Sequence, residues 1–234
     1  MQYSTFAAID IGSYDVILEI FEISKKQGIR SVDKICHRME LGKDTYTLGK
    51  IRPEMEEELC RVLADFVRIM EGYRVDAYRA MASSAISEAA NSLYVLGKIR
   101  QLTGLSVTVL SNSEQRFLGY KALAAMEDNF NKIIEKGTAI LDLDGGSFQI
   151  SLFDKDALVT TQNIRMGSLR IRERLAGIQS ETEHYEEMVE ELIWNEVSSF
   201  KKMYLKDRKI ENIMLIGDVF TDSVYQNIEE KTTK

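Results

Sequence analysis

The chain has 234 residues and a net charge of −7, and 44% of its residues are hydrophobic and 29% charged. This length allows one large domain or two small ones with hydrophobic cores, and the composition is typical of a globular protein in solution. The acidic balance argues against a sequence-independent nucleic-acid surface, and no apolar run approaches the ~18 residues of a membrane helix. We therefore expect a cytoplasmic protein with no membrane partner and no specific nucleic-acid partner.

The cysteines and histidines form no pattern that indicates chemistry. They are Cys36, Cys60, His37 and His184. Their spacing matches neither a disulfide framework nor a zinc site, and no serine–histidine triad signature is present. We expect these four residues to be surface or half-buried positions without a catalytic role.

The first half of the chain predicts three strands followed by alternating helices and strands. Pro53 begins the longest helix, since a first helical position tolerates proline, and Asn91 and Gly104 are the expected caps of another. The predicted elements are, in order, strands at 6–9, 16–23 and 29–41, a loop carrying Gly42 and Gly49, a helix at 53–72, a strand at 76–81, a short helix around Ile86, a helix at 91–104, a strand at 107–110 and a helix at 113–126. This order is typical of an α/β domain whose sheet begins with antiparallel strands.

The second half repeats the opening pattern of the first after a polar break at 128–136. It predicts strands at 138–143, 147–153 and 158–164, then a helix at about 181–205 and a strand at 212–217. Both halves begin with a strand that runs into an aspartate-containing turn, so an internal duplication is the economical explanation. We expect two domains, residues 1–127 and 128–234.

The two turns carry the residue types of a phosphate-binding loop. The first turn (residues 10–15) begins Asp-Ile-Gly-Ser, and the second turn (residues 142–147) reads Asp-Leu-Asp-Gly-Gly-Ser. Glycine lets backbone N–H groups approach a phosphate, serine adds a hydroxyl donor, and the leading aspartate can hold a hydrated Mg²⁺. The alternative is an ordinary hairpin turn, in which aspartate and glycine are common. Two such turns at equivalent places favour the phosphate-binding interpretation.

Five segments in chain order resemble the Ppx/GppA family of exopolyphosphatases and guanosine pentaphosphate phosphohydrolases. They are residues 8–13 (AIDIGS), 82–91 (ASSAISEAAN), 110–115 (LSNSEQ), 142–147 (DLDGGS) and 165–168 (RMGS). That family is part of the superfamily of acetate and sugar kinases, Hsp70 and actin. The resemblance implies an α/β fold of two similar actin-like (ribonuclease H-like) domains, each a mixed sheet with antiparallel opening strands and flanking helices.

The resemblance also implies a function and roles for the matching residues. Water would hydrolyse the terminal phosphoanhydride of inorganic polyphosphate or a guanosine polyphosphate, with Mg²⁺ as cofactor and a glutamate as general base, and we expect a homodimer. The matching residues are Asp10, Asp142 and Asp144 for the metal, Gly12, Ser13, Gly145, Gly146 and Ser147 for phosphate, and Glu114 and Gln115 for catalysis.

Several positions of the family pattern are substituted in this sequence. Gln115 occupies the position of the base, and an amide does not accept a proton at neutral pH. Ser87 replaces an arginine that would grip phosphate through charge-assisted hydrogen bonds. Asp144 stands where the family has glycine, and Gln149 stands where it has glutamate. Together these changes remove a base and an anion clamp and add negative charge near the second turn.

The substitutions leave functions of two classes open. Glu114 is either a displaced base or a structural residue, because Ser111-x-x-Glu114 is also a capping-box pattern. The chain is accordingly either a Ppx/GppA phosphatase or a catalytically inactive regulatory homologue that binds phosphate or a nucleotide. A sugar or acetate kinase would need an adenosine-binding glycine turn, which Gly217-Asp218 does not supply. The sequence ends before the helices that complete the family's second domain, so we expect that domain to be incomplete.

Overall fold

The structure of the protein is a computed structural model that describes residues 3–126, 129–176, 184–206 and 208–217. The chain divides into two compact units, Met1–Gln115 and Arg116–Lys234, and the division falls inside a helix. The boundary expected from the sequence, between residues 127 and 128, lies outside the described residues. None of the described helices is long and apolar enough to cross a membrane.

The first unit is built on a five-stranded sheet with the strand order β3-β2-β1-β4-β5. The central strand β1 is antiparallel to β2 and parallel to β4. The elements are β1 (Ser4–Ile11), β2 (Asp15–Ser24), β3 (Gly28–Arg38), α1 (Leu41–Leu48), α2 (Pro53–Gly72), β4 (Ala77–Ala82), α3 (Ser84–Ser87), α4 (Ser92–Thr103) and β5 (Val107–Val109), followed by α5 (Asn112–Met126), which begins in this unit and continues into the second.

One face of this sheet forms the core of the first unit. Alternate residues of β1 and β2 are buried because successive side chains of a strand point to opposite faces. The apolar stripe of α2 packs against them, with Leu63 fully buried and Phe66 nearly so. Pro53 is the first residue of α2, and Gly104 ends α4 in the left-handed conformation, as the sequence predicts. Asn91 makes no side-chain cap, because its amide exchanges two hydrogen bonds with the backbone of Ile51.

The second unit contains a four-stranded sheet with the order β8-β7-β6-β9. Its elements are α6 (Phe130–Ile134), β6 (Thr138–Leu143), β7 (Phe148–Asp154), β8 (Ala157–Ile164), α7 (Ser168–Leu175), α8 (Tyr185–Tyr204) and β9 (Asn212–Ile216). One face of the sheet packs on α8 around Phe200, and the other packs on α5 and α6 around Phe130 and Phe153. The side chains of Tyr120 and Arg116 on α5 reach hydroxyl groups on β7 and β8.

The two units repeat one arrangement, as the sequence predicts. In each, the first strand is antiparallel to the second and parallel to the strand that follows the helices. An eight-residue helix and a twenty-residue helix connect these strands in both units, namely α1 and α2 in the first and α7 and α8 in the second. The duplicated elements place Asp10 and Asp142 at equivalent points.

The structure contains three short helices that the sequence analysis does not predict. The predicted loop carrying Gly42 and Gly49 contains α1, the predicted polar break contains α6, and the segment at 165–168 leads directly into α7. Each helix is too short to show a clear apolar period, and short helices depend on tertiary contacts for their stability. The predicted strand at 29–41 also ends earlier, at Arg38.

Candidate functional site

The first turn joins β1 to β2 in a tight hairpin. The Gly12 N–H donates to the Asp15 carbonyl at 3.0 Å. Asp10, two residues before Gly12, lies exposed on β1 opposite Ile17 of β2 and beside Met81 of β4. The turn therefore presents the Asp10 side chain to solvent at the end of the central strand of the first unit.

Ser13 is fully buried and belongs to a cluster of three hydroxyl groups. Its Oγ lies 2.7 Å from the Tyr46 Oη and 3.4 Å from the Ser84 Oγ, and the Tyr46 Oη lies 2.8 Å from the Ser84 Oγ. The Ser13 carbonyl accepts the N–H of Gly42 near the start of α1. The Ser13 hydroxyl is thus engaged within the unit, and its backbone is fixed by the helix that follows β3.

Arg38 compensates the extra negative charge of the first turn. Its guanidinium lies 3.6 Å from the Asp15 carboxylate and stacks 4.6 Å from the centre of the Tyr14 ring. The Tyr14 carbonyl accepts the N–H groups of Met39 and Glu40. Arg38 is itself largely exposed, so a positive charge is available at this turn.

The second turn has the same hairpin and is held from one side by α7. The Asp144 N–H donates to the Ser147 carbonyl at 3.0 Å, as Gly12 does to Asp15. Three successive carbonyls, those of residues 144, 145 and 146, accept hydrogen bonds from the start of α7. The donors are the N–H of Ser168 for Asp144, the N–H groups of Leu169 and Arg170 for Gly145, and the Arg170 Nε for Gly146.

The carbonyl directions determine where the N–H groups of the second turn point. In a trans peptide the N–H points opposite to the carbonyl of the same peptide unit. The N–H groups of Gly145, Gly146 and Ser147 therefore point away from α7, and successive N–H groups on one side form an anion-binding nest. The Asp144 Oδ1 accepts the first of them, the Gly145 N–H, at 2.6 Å.

Gly167 makes the contact between α7 and the second turn possible. A Cβ at this position would overlap the backbone of Asp144 and Gly145. The backbone of Gly167 is extended, with φ −72° and ψ 165°, so the requirement for glycine is steric and not conformational. Residue 167 therefore determines how closely α7 can approach the turn.

We expect Gly167→Ala to destabilise the protein by about 2–3 kcal/mol, because the added methyl group must push apart two backbone segments. Thermal denaturation followed by circular dichroism would measure the loss. Gly97→Ala is the matched control, since a Cβ at Gly97 on α4 meets no other atom within 4 Å. Equal melting temperatures for Gly167→Ala and wild type would contradict the expected steric requirement.

A row of polar side chains lies across the second sheet beside the second turn. Half-buried Asp142 on β6 pairs directly with Gln149 on β7, and Gln149 pairs with Asn163 on β8. Asn163 donates to the Ser147 hydroxyl at 3.2 Å. The Gln149 Oε1 is buried and has no hydrogen-bond partner among the described residues. The row therefore contains oxygen atoms that could coordinate a metal ion, and one of them, the Gln149 Oε1, is not used by a hydrogen bond among the described residues.

The donor set of the second turn fits Mg²⁺. This ion takes oxygen ligands, keeps several waters and is bound by one or two carboxylates together with substrate phosphates. Asp142 and Asp144 are the carboxylates here, and Gln149 adds a buried carbonyl oxygen next to Asp142. Asp10 belongs to the first unit. Among the described residues, no three His, Cys, Asp or Glu side chains gather as a complete metal site.

Glu114 forms the capping box that the sequence allows. Its Oε2 accepts the Ser111 N–H at 2.9 Å and the Ser111 hydroxyl at 2.7 Å, and its own N–H lies 3.3 Å from the Ser111 Oγ. These hydrogen bonds, first that of the backbone and then that of the hydroxyl, lower the pKa of the Glu114 carboxyl below its ordinary value. A lowered pKa makes a carboxylate a weaker proton acceptor, so the geometry favours the structural role of Glu114.

We expect the contribution of Glu114 to stability to depend on pH. A carboxyl whose pKa is lowered by folding stabilises the protein above its unfolded-state pKa of about 4.3 and loses this effect as the pH falls through the folded-state value. Glu114→Ala should therefore lower the melting temperature at pH 7 and make progressively less difference as the pH falls below the unfolded-state value. Glu114→Gln, which keeps an acceptor without a charge, is the control, and a pH-independent difference would count against the capping role.

Two further positions of the family pattern lie in the first unit. Gln115 follows Glu114 on α5 and is half-buried, and Ser87 is exposed at the end of α3. Asp218, the residue after Gly217, lies outside the described residues. The structure adds Tyr46, Ser84 and Arg170 to the residues that hold the turns. Ser84 lies inside the family segment 82–91 and Arg170 lies two residues after the segment 165–168, whereas no pattern identified Tyr46.

Comparison with known proteins places these features in a family. Residues 19–234 match the model of the Ppx/GppA phosphatase family. The chain is 22% identical over 238 residues to the bifunctional 3-dehydroquinate synthase/phosphatase of Fusobacterium nucleatum, a match that covers 96% of this chain and 34% of that protein. It is 26% identical over 144 residues to exopolyphosphatase 1 of Mycobacterium leprae, covering 61% of this chain and 41% of that protein. The chain spans less than half the length of these two curated relatives.

Solved structures show the same fold. The Ppx/GppA family member of Aquifex aeolicus has a TM-score of 0.70 at 22% identity, covering 97% of this chain and 71% of that one. An exopolyphosphatase from Cytophaga hutchinsonii has a TM-score of 0.72 at 19% identity, covering 99% and 72%. The predicted fold, two similar actin-like α/β domains, is confirmed. The chain belongs to the Ppx/GppA phosphatase family.

Proposed function

We propose that this chain is a phosphatase of the Ppx/GppA type that hydrolyses the terminal phosphoanhydride of inorganic polyphosphate or a guanosine polyphosphate. The duplicated turn carries this proposal. Each unit has an aspartate near the end of its first strand, followed by a hairpin in which at least one carbonyl accepts an N–H group of a short helix. In the second turn the contacts with α7 leave three successive N–H groups pointing away from that helix. Successive N–H groups on one side of a turn can bind phosphate oxygens.

Different residues of the second unit would bind phosphate and Mg²⁺. The N–H groups of Gly146 and Ser147 would hold phosphate oxygens. Arg170 orients both peptide units, through its N–H on the Gly145 carbonyl and its Nε on the Gly146 carbonyl. Asp142 and Gln149 would hold Mg²⁺, with Asp144 as a further carboxylate. When bound, Mg²⁺ supplies positive charge that neutralises the phosphate chain. In the first unit, the Tyr14 N–H lies opposite the fixed Ser13 carbonyl and would act in the same way.

A catalytically inactive regulatory homologue that binds phosphate or a nucleotide is the second candidate, and the capping box favours it. The family's base position carries Gln115, and the neighbouring carboxylate of Glu114 is held by Ser111 with a lowered pKa. General base catalysis contributes about 10²–10⁴ to a rate, so a chain without a base would bind its ligand and turn it over slowly or not at all.

Phosphate release and binding, measured on the same preparation, test the two candidates. Wild-type protein would be incubated with long-chain polyphosphate and with guanosine pentaphosphate in the presence of Mg²⁺, and released phosphate would be quantified. Binding of inorganic tripolyphosphate would be followed by isothermal titration calorimetry. Release that depends on protein concentration supports the phosphatase, and binding without release supports the regulatory homologue. Neither binding nor release would overturn both.

A further inference from the structure

The two turns differ in the residue that donates the hairpin hydrogen bond. Gly12 and Asp144 each donate their N–H to the carbonyl three residues on, and both turns are fixed by the short helix that follows the third strand of their unit. Gly12 has no side chain at this point. Asp144 carries a carboxylate, and its Oδ1 lies 2.6 Å from the Gly145 N–H. The second turn therefore has a carboxylate on its Gly145 N–H, and the first turn has no side chain at the position equivalent to Asp144.

The contact of Asp144 changes what the nest offers to an anion. The carbonyl of Asp144 accepts the N–H of Ser168, so the Gly145 N–H points to the same side as those of Gly146 and Ser147. A carboxylate on this N–H occupies the place that a phosphate oxygen would take. The carboxylate also places a negative charge next to the anion site, and this charge repels a bound phosphate.

We propose that Asp144 is a built-in competitor for the anion site of the second turn, a proposal that rests on the phosphate-binding function proposed above. A metal-free phosphate group must displace the carboxylate from the Gly145 N–H, and it is then repelled by the negative charge of the displaced carboxylate. A phosphate that arrives with a divalent cation does not meet this opposition, because the cation lies between the two anions. Asp144 thereby makes the second turn selective for cation-bound phosphate.

The test is the affinity of the full chain for inorganic tripolyphosphate, measured by calorimetry in EDTA and again in Mg²⁺. Asp144→Gly should tighten binding in EDTA about ten- to a hundredfold, because it frees a hydrogen bond to a charged group. The gain in Mg²⁺ should be much smaller. Asp144→Asn removes the charge but keeps an acceptor for the Gly145 N–H, so an intermediate gain is expected.

Asp156→Gly is the matched control. It removes the same charge from a residue with φ 60° in the hairpin between β7 and β8, away from the second turn, and should leave the affinity unchanged. Wild type and both Asp144 variants binding with equal affinity in EDTA would overturn the role of Asp144 and leave the proposed function standing. No binding by any of these folded proteins, with or without Mg²⁺, would overturn both.

Discussion

Asp142→Ala should reduce phosphate release from polyphosphate or guanosine pentaphosphate by at least about 10²-fold. Asp142 is the half-buried carboxylate near the end of β6, and it pairs with Gln149, whose buried Oε1 has no partner among the described residues. Removing one preorganised group that stabilises charge in a reacting phosphate or carbonyl typically costs 10²–10³ in rate. The substitution also removes one of the carboxylates that fit Mg²⁺ at this turn.

The measurement is the rate of phosphate release at saturating Mg²⁺, together with the Mg²⁺ concentration that gives half the maximal rate. Asp142→Asn separates the charge from the shape of the side chain, and it should lose nearly as much activity as Asp142→Ala. Asp154→Ala, at the far end of β7, removes the same charge from the same sheet and should keep the wild-type rate. Undiminished release by folded Asp142→Ala would be incompatible with a catalytic second turn.

Much of the fold could be predicted from the sequence because its signals are local. The alternation of buried residues in β1 and the helical spacing along α2 follow directly from the geometry of strands and helices. The helices α1 and α7 could not be predicted in this way. They are fixed by backbone contacts to distant segments, such as Gly42 N–H to the Ser13 carbonyl and Leu169 N–H to the Gly145 carbonyl.

The candidate site shows the same division between local and long-range information. The motifs identified both turns and their aspartates, because glycine lets the backbone approach a phosphate and serine adds a hydroxyl donor. They gave no sign that the Ser13 hydroxyl is engaged by Tyr46 and Ser84, since this cluster depends on how α1 and α3 pack. The capping box left two roles open for Glu114, and only the distances to Ser111 favour one of them.

Gln115→Glu should raise phosphate release by about 10²–10⁴-fold if loss of the base is what limits this chain. Gln115 is half-buried on α5, and its N–H donates to the Ser111 carbonyl at 3.0 Å, so its backbone position is fixed by the same turn that holds Glu114. A carboxylate there would be a proton acceptor that is not part of the capping box. The assay is phosphate release from long-chain polyphosphate and guanosine pentaphosphate with Mg²⁺.

The controls for Gln115→Glu decide between the two candidate functions. Gln101→Glu, at an exposed position of α4, introduces the same charge and should leave release unchanged. A gain in Gln115→Glu over an inactive wild type would mean that the chain kept its phosphate site and lost only its base. An active wild type with no gain would mean that another group accepts the proton, and Glu114→Gln would then test the remaining carboxylate. If wild type and Gln115→Glu both bind tripolyphosphate and neither releases phosphate, the chain is a binding module. A restored base cannot act when the bound phosphate is not positioned for attack by water.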